Sequence, residues 1–551
     1  MRSIKFGATI AGVGVAALLL SGCASGDNEE TGGTTGGGII TTNGNEPQNP
    51  LVPTNTSEVG GGKIATSIFA GLVSYTAEGE IENEVAESIE SDDSTVWTVT
   101  LEDGWEFTDG TPVTSSSFID AWNYGALGTN AQSASYFFDN IAGYDDVQGE
   151  YDEEGNEVEA PAAETMSGLT EIDELTFEVE LSSPEADWPL RLGYTAYMPL
   201  PEVAFEDIEA FGQSPIGNGP YMLDGEDAWE NDVAIDLVTN PDYDGVRTPV
   251  NGGLRIVFYA SQDAAYADVQ GGNLDVLDAV PDSAFETYED TFGDRAVNQP
   301  AAIFQAINLP YYLPEFQGEE GLLRRAAISM AINRDEITEI IFQGTRTPAT
   351  DFTSPVIAGY SDSLEGSEVL EYNEEEAQRL WAEADEINPY GDKTFDIAYN
   401  ADGGHQAWVD AATQSISNTL GITAEGKAYP TFAEALGDRA DDALTGATRA
   451  GWQADYPSQY NFLAPLYQTG AGSNYEDYSS EEFDSLLEEG STADSVEDAT
   501  AIYQEAQEVL LRDLPSIPLW YSNVVGVSAD TVDNVVFGWD SVPLYYQITK
   551  D

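Results

Sequence analysis

"RAGWQADYPSQYNFL", Arg449 to Leu463, places a carboxylate, Asp455, three residues after Trp452, in a stretch that otherwise reads as a buried strand running into an aromatic turn. An acid taken out of water without a counter-charge is unfavourable, so this position asks for a partner that the neighbouring sequence does not supply. Moving outward, period-two stretches rich in β-branched residues predict strands: "VWTVTLEDGWEF" from Val96, "LTFEVELSS" from Leu175, "VAIDLVTN" from Val233 and "GLRIVFYAS" from Gly253. Between them, helical spacing predicts one helix over 322–341, with Leu322, Ala326, Met330 and Ile337 near one face. Two further helices are predicted at 373–387 and 496–514. Strands and helices interleave, so the fold class is mixed α/β. A chain of 551 residues exceeds one ordinary core, which predicts two or three domains.

The amino-terminal residues address the chain. Arg2 and Lys5 precede an apolar run from Gly7 to Leu20, about fourteen residues, too short for a spanning helix of about 20. This pattern predicts a secretory signal peptide over 1–22. Cys23 is the only cysteine, so no disulfide is possible within the chain. It sits where cleavage would make it the first mature residue, and "LSGC" resembles the bacterial lipoprotein box, which implies lipidation of Cys23. Residues 23–46, rich in Gly and Thr, read as a flexible tether. The acidic stretch 151–164 lacks calcium-loop spacing and reads as a surface hairpin or loop.

Charge and motifs narrow the chemistry. The net charge is −82, becoming −84 once Arg2 and Lys5 leave, and it is spread along the chain. A polyanionic partner such as nucleic acid is excluded on this ground, and the acidity reads as a solvated, self-repelling surface. "GITAEGKA" at 421–428 has the glycine and lysine of a phosphate loop but ends in Ala428 instead of Ser or Thr. With one histidine and one cysteine, neither a His-based triad nor a typical zinc site assembles, and nothing in the sequence asks for a cofactor or a metal. Acidic residues are abundant enough to supply a glycosidase pair, but no spacing singles one out.

Several segments in order resemble one family. "IFAGLVSYTAEGEIENEVAES" from Ile68, "TVTLEDGWEFTDGTPVTSSSFIDAW" from Thr98, "SGLTEIDELTFEVELSSP" from Ser167 and "SPIGNGPYML" from Ser214 are followed by "NPDY" from Asn240, "LLRRAAISMAINRDEI" from Leu322, the Arg449 stretch and "LPSIPLWY" from Leu514. Together they are similar to the extracytoplasmic solute-binding proteins of family 5, the oligopeptide and dipeptide receptors of ABC importers. The resemblance implies a periplasmic-binding-protein-like fold of type II, cluster C, with two lobes and an inserted domain that close over ligand. It implies lobe 1 over 47–80, 213–300 and 522–551, the inserted domain over 81–212, and lobe 2 over 301–521.

It also implies site residues. Asp455 receives the ligand's α-ammonium, and Arg449 helps neutralise its carboxylate, with His405 near that same end. Gly451 and Gln453 offer backbone bonds by strand addition, while Trp452 either lines a side-chain pocket or is plain core. Tyr456, Tyr136 and Ile64 complete the implied contact set, while "GGGK" at 60–63 departs from the family's pattern, standing where other members supply a strand edge to the ligand. Implied partners are a short peptide, two permease subunits and the lipid anchor, and the receptor is expected to be a monomer without enzymatic activity. Two alternatives stand beside this reading: an oligosaccharide receptor using aromatic platforms, and a surface glycoside hydrolase.

Overall fold

The structure, a computed structural model, describes residues 37–151, 157–225 and 227–550. The signal segment and Cys23 lie outside the described residues. The strands are β1 Ile39–Gly44, β2 Ala86–Glu90, β3 Val96–Leu101, β4 Leu169–Asp173, β5 Thr176–Glu180, β6 Tyr221–Leu223, β7 Ala234–Thr239, β8 Gly253–Phe258, β9 Val276–Leu277, β10 Ala296–Asn308, β11 Thr394–Asn400, β12 Thr423–Tyr429, β13 Ala447–Gln453 and β14 Ser516–Ser528. The helices that matter below are α1 Val59–Ile68, α2 Gly318–Met330, α3 Arg334–Ile340, α4 Glu374–Ile387, α5 Gln406–Leu420, α6 Phe432–Ala440, α7 Gln459–Tyr467 and α8 Val496–Asp513.

The main sheet runs in the order β6-β7-β8-β1-β9-β14-β10-β13-β11-β12, and a smaller antiparallel sheet runs β2-β3-β5-β4. The long antiparallel pair β10 and β14 holds the molecule together, from Ala296 opposite Val527 to Asn308 opposite Ser516, with a register break between Pro300 and Phe304. One hydrophobic core draws on residues 40–258 and 524–548, and two others mainly on 302–521. Strand β14 crosses between them: Ile517 and Trp520 pack into one end and Val524 into the other. This is the two-lobed, mixed α/β arrangement, with the two crossing strands as the connection.

Two local expectations change. Within the stretch expected to be tether, the β-branched alternation of "IITT" makes Ile39–Gly44 a strand in parallel register with β8. The single helix over 322–341 breaks in two, since the Asn333 side chain accepts from Glu336 N and caps a new start. Leu322 is 40% exposed, while Arg324 and Arg325 are buried, as are Ile328 and Met330. Residues 60–63 form no strand edge: the Glu58 carboxylate caps Gly61 N and the segment winds into α1. "GITAEGKA" also forms no phosphate loop, its residues from Thr423 onward being the edge strand β12.

Candidate functional site

Strand β13 is paired along one edge and open along most of the other. Its antiparallel partner β10 covers Thr448 to Gln453, but β11 pairs only with Ala447 and Thr448. Among the described residues no strand pairs with the second edge from Ala450 to Gln453, so that length presents an edge without a strand partner.

Asp455 closes the strand's end. Ser458 caps α7 by accepting from Tyr460 N at 2.9 Å, which puts Asn461 in the first turn of the helix. Asn461 Oδ1 then accepts from Asp455 N at 3.0 Å and from Trp452 Nε1 at 3.1 Å, and its amide nitrogen reaches the Asp455 carboxylate at 3.4 Å. Burial pushes the Asp455 carboxyl up to about 6, against the lowering effects of the Asn461 amide and the Arg191 charge. Arg191 is itself ion-paired to Glu185 and lies 4.8 Å over the ring of Tyr456. Among the described residues no ion pair reaches Asp455. Burial also raises the phenols of Tyr136 and Tyr194, with Asp455 the leading charge acting on each.

Two cavities meet at this carboxylate. One, of about 410 Å³, lies against α1 and includes Glu58, Lys63, Tyr194, Gln453 and Asp540 in its wall. The other, of about 840 Å³, includes Tyr136, Asp139, Gly451, Trp452, Gln453 and Tyr456. Eight of the nine expected contact residues lie in two groups, six at these cavities and two, Arg449 and His405, further along the strand. Asp455, Gly451, Trp452, Gln453, Tyr456 and Tyr136 share the cavities, although Tyr456 is buried and mostly supports Arg191.

Arg449 stands roughly 20 Å along the strand from Asp455, by six residues of rise at about 3.3 Å. There it meets His405, the residue before α5: Arg449 Nε is 2.9 Å from His405 Nε2 and Trp408 Nε1 is 3.1 Å from Nδ1. An imidazole accepts at only one nitrogen at a time, so these donors compete. Ile64 is the correction. It is fully buried in the core on α1, and its neighbours Gly62, Lys63 and Thr66 line the cavity instead.

A profile of the family described as "Bacterial extracellular solute-binding proteins, family 5 Middle" matches residues 80–474. The chain belongs to this family. Among family 5 relatives, the periplasmic oligopeptide-binding protein OppA of Salmonella typhimurium is 27% identical, over 88% of this chain and 87% of its own. The periplasmic murein peptide-binding protein MppA of Escherichia coli is 24% identical, over 84% and 83%. The unliganded open form of the MppA murein tripeptide-binding protein superposes with a TM-score of 0.80 at 21% identity, covering 94% of this chain and 97% of that one. The candidate site was only partly legible in sequence. Asn461 lay within the Arg449 stretch and its capping serine was readable, whereas Arg191, Tyr194, Lys63 and Asp540 come from distant segments that carry no local signal.

Proposed function

We propose that this protein is a lipid-anchored receptor that captures short peptides outside the membrane and hands them to the permease of an ABC importer, without catalysing a reaction on them. The observation that carries the reading is Asp455, a desolvated carboxylate without an ion-pair partner among the described residues, at the end of a strand with an open edge. A peptide supplies both missing parts: an α-ammonium for the acid and main-chain groups for the strand. Arg449, with His405, serves the carboxylate end, as a guanidinium suits that geometry. The peptide-binding names of the two relatives support the same ligand class. A neutral sugar offers this acid hydroxyl donors but no counter-charge, and it has no main-chain groups for the open strand edge.

In this reading 81–212 is the inserted domain, 301–521 is lobe 2, and the remainder of the folded body is lobe 1, with closure about β10 and β14. The superposition with an unliganded open form supports a receptor at rest. Cys23 carries the anchor, and the mass of the mature amino terminus reads out its acylation. Titration calorimetry of Asp455→Asn and the wild type, each with a free-amine pentapeptide and its N-acetylated form, tests the site. Removing one partner of a buried charge pair costs about 2–5 kcal/mol, a loss of roughly thirtyfold or more for the free amine. The acetylated peptide should bind the wild type weakly and lose little further in the variant. Equal affinities for the two peptides in the wild type would overturn the role of Asp455.

A further inference from the structure

A second contact joins the lobes away from the crossing strands. Ala186 N donates to Ser491 O at 2.9 Å, Ser94 Oγ lies 3.4 Å from Ala493 O, and the Ala186 side chain packs into the core that holds Phe462 and Leu463. Two residues on, Trp188 is fully buried in the other core. Asp187 stands between them, 1% exposed, and is fixed from both sides. Its Oδ2 accepts from Ser458 Oγ, the hydroxyl that caps α7, while Oδ1 has no partner among the described residues. Burial, with the Glu185 charge adding to it, raises this carboxyl against the Ser458 hydroxyl and the Arg191 charge. A neutral side chain would make the same contact with less desolvation.

The Ser458 hydroxyl has one proton and two neighbours. By giving that proton to Asp187 it turns a lone pair toward Tyr460 N, 2.9 Å away, and so starts α7. One residue further, Asn461 holds Asp455 N at 3.0 Å, Trp452 Nε1 at 3.1 Å and the Asp455 carboxylate at 3.4 Å. A continuous path of hydrogen bonds and one helical turn thus runs from Asp187, in the inserted domain of the reading above, to Asp455 in lobe 2. We propose that Asp187 is a positioning residue for the ligand site: it sets the Ser458 hydroxyl and, through the first turn of α7 and Asn461, holds the Asp455 carboxylate where the ligand's ammonium arrives. The inference rests on the reading of Asp455 and adds to it a support from a distant segment.

Titration of the full chain with a free-amine pentapeptide and its N-acetylated form tests this role, melting temperatures showing which variants fold. Asp187→Ala should weaken the free amine about tenfold, the worth of one hydrogen bond, and the acetylated peptide less than about threefold. Asp187→Asn keeps an acceptor for the Ser458 hydroxyl and should return the free amine to within about threefold of the wild type. Ser458→Ala should match Asp187→Ala, and the double variant should lose no more than Ser458→Ala alone. In the empty receptor the indole N–H resonance of Trp452, which donates to Asn461, should shift in Asp187→Ala and stay in place in Asp187→Asn. Equal losses for the two peptides, additive losses in the double variant, or a Trp452 resonance unmoved by Asp187→Ala would each overturn the positioning role while the wild type still prefers the free amine. Ser458→Ala carries the same test if Asp187→Ala does not fold. A wild type that binds both peptides alike would overturn the reading of Asp455 and this role with it.

Discussion

Asp351 and Asp455 are two acids of one chain with the same displacement and opposite wiring. Burial pushes each carboxyl up to about 6. Asp351, 0% exposed, nevertheless collects four donors from the protein: Thr353 N at 2.8 Å, Thr353 Oγ1 at 3.0 Å, the Tyr521 hydroxyl at 2.8 Å and Ser361 N at 3.4 Å. Asp455 receives a single amide at 3.4 Å. The raised value alone therefore does not mark a binding group. What distinguishes the two is how much of the desolvation the folded chain itself makes good, and at Asp455 that remainder is left for something that arrives in the cleft.

The largest effect expected from this contrast is an exchange of phenotypes. Asp351→Asn turns an amide NH2 toward donors that now meet a carboxylate oxygen, so it should destabilise the protein by about 1–3 kcal/mol. Peptide affinity should change less than about threefold. Asp455→Asn should do the reverse, and it should also stabilise the empty protein near neutral pH. An upward displacement of about two units is worth about 1.4 kcal/mol per unit, and the part of the carboxylate still facing water reduces this to about 1–2 kcal/mol. Chemical denaturation of both variants without ligand, beside calorimetric titration with ligand, measures the exchange. If Asp351→Asn weakens binding as much as Asp455→Asn does, the contrast in wiring has no functional meaning.

How far the sequence carried this contrast depends on the range over which each feature is determined. Strands β3, β5, β7 and β8 were legible because alternation is local, and α4 and α8 because their apolar positions recur at helical spacing. Asp455 could be named as a candidate because the motif that carries it is contiguous. The break between α2 and α3 was missed because one asparagine cap outweighed a continuous apolar pattern. The wall of the cleft opposite β13 was not legible at all. Tyr194, Arg191 and Asp540 reach it by chain crossings, and Ile64 turns into the core because the segment winds into a helix under a glutamate cap.

A middle-sized effect should appear with pH, and its sign differs between the empty and the filled receptor. Both carboxyls have folded values near 6 against an ordinary 3.8. Between about pH 4 and 6 the folded state therefore holds protons that the unfolded state has lost. Stability of the empty protein should accordingly fall as pH rises through that window and level off above it. An ammonium ligand favours the ionised carboxylate of Asp455, so peptide affinity should run the other way. It should weaken roughly tenfold from about pH 7 to about pH 5, as a proton must leave before the pair can form. N-acetylated peptide, and Asp455→Asn with either peptide, should show little of this dependence. Calorimetry across the range checks it, and a pH-independent affinity for the free amine would place Asp455 outside the ligand contact.

The smallest effect is the one that separates the cleft from the rest of the molecule. The chain carries 100 acidic residues against 18 lysines and arginines, a surface whose self-repulsion opposes the compact state. Raising salt from about 0.1 M to about 1 M shortens the screening length from about 10 Å to about 3 Å. The melting temperature of the whole protein should therefore rise. A pair formed inside a closed, water-poor cleft is screened much less than charges on the surface. The ratio of free-amine to acetylated peptide affinity should thus change less than about threefold over the same range, even as absolute affinities drift. Titrations of the wild type with both peptides at the two salt concentrations give that ratio directly. If it collapses toward one at high salt while the protein grows more stable, the ammonium meets Asp455 in open solvent, and the acid's poor internal wiring reflects an exposed turn instead of a binding site.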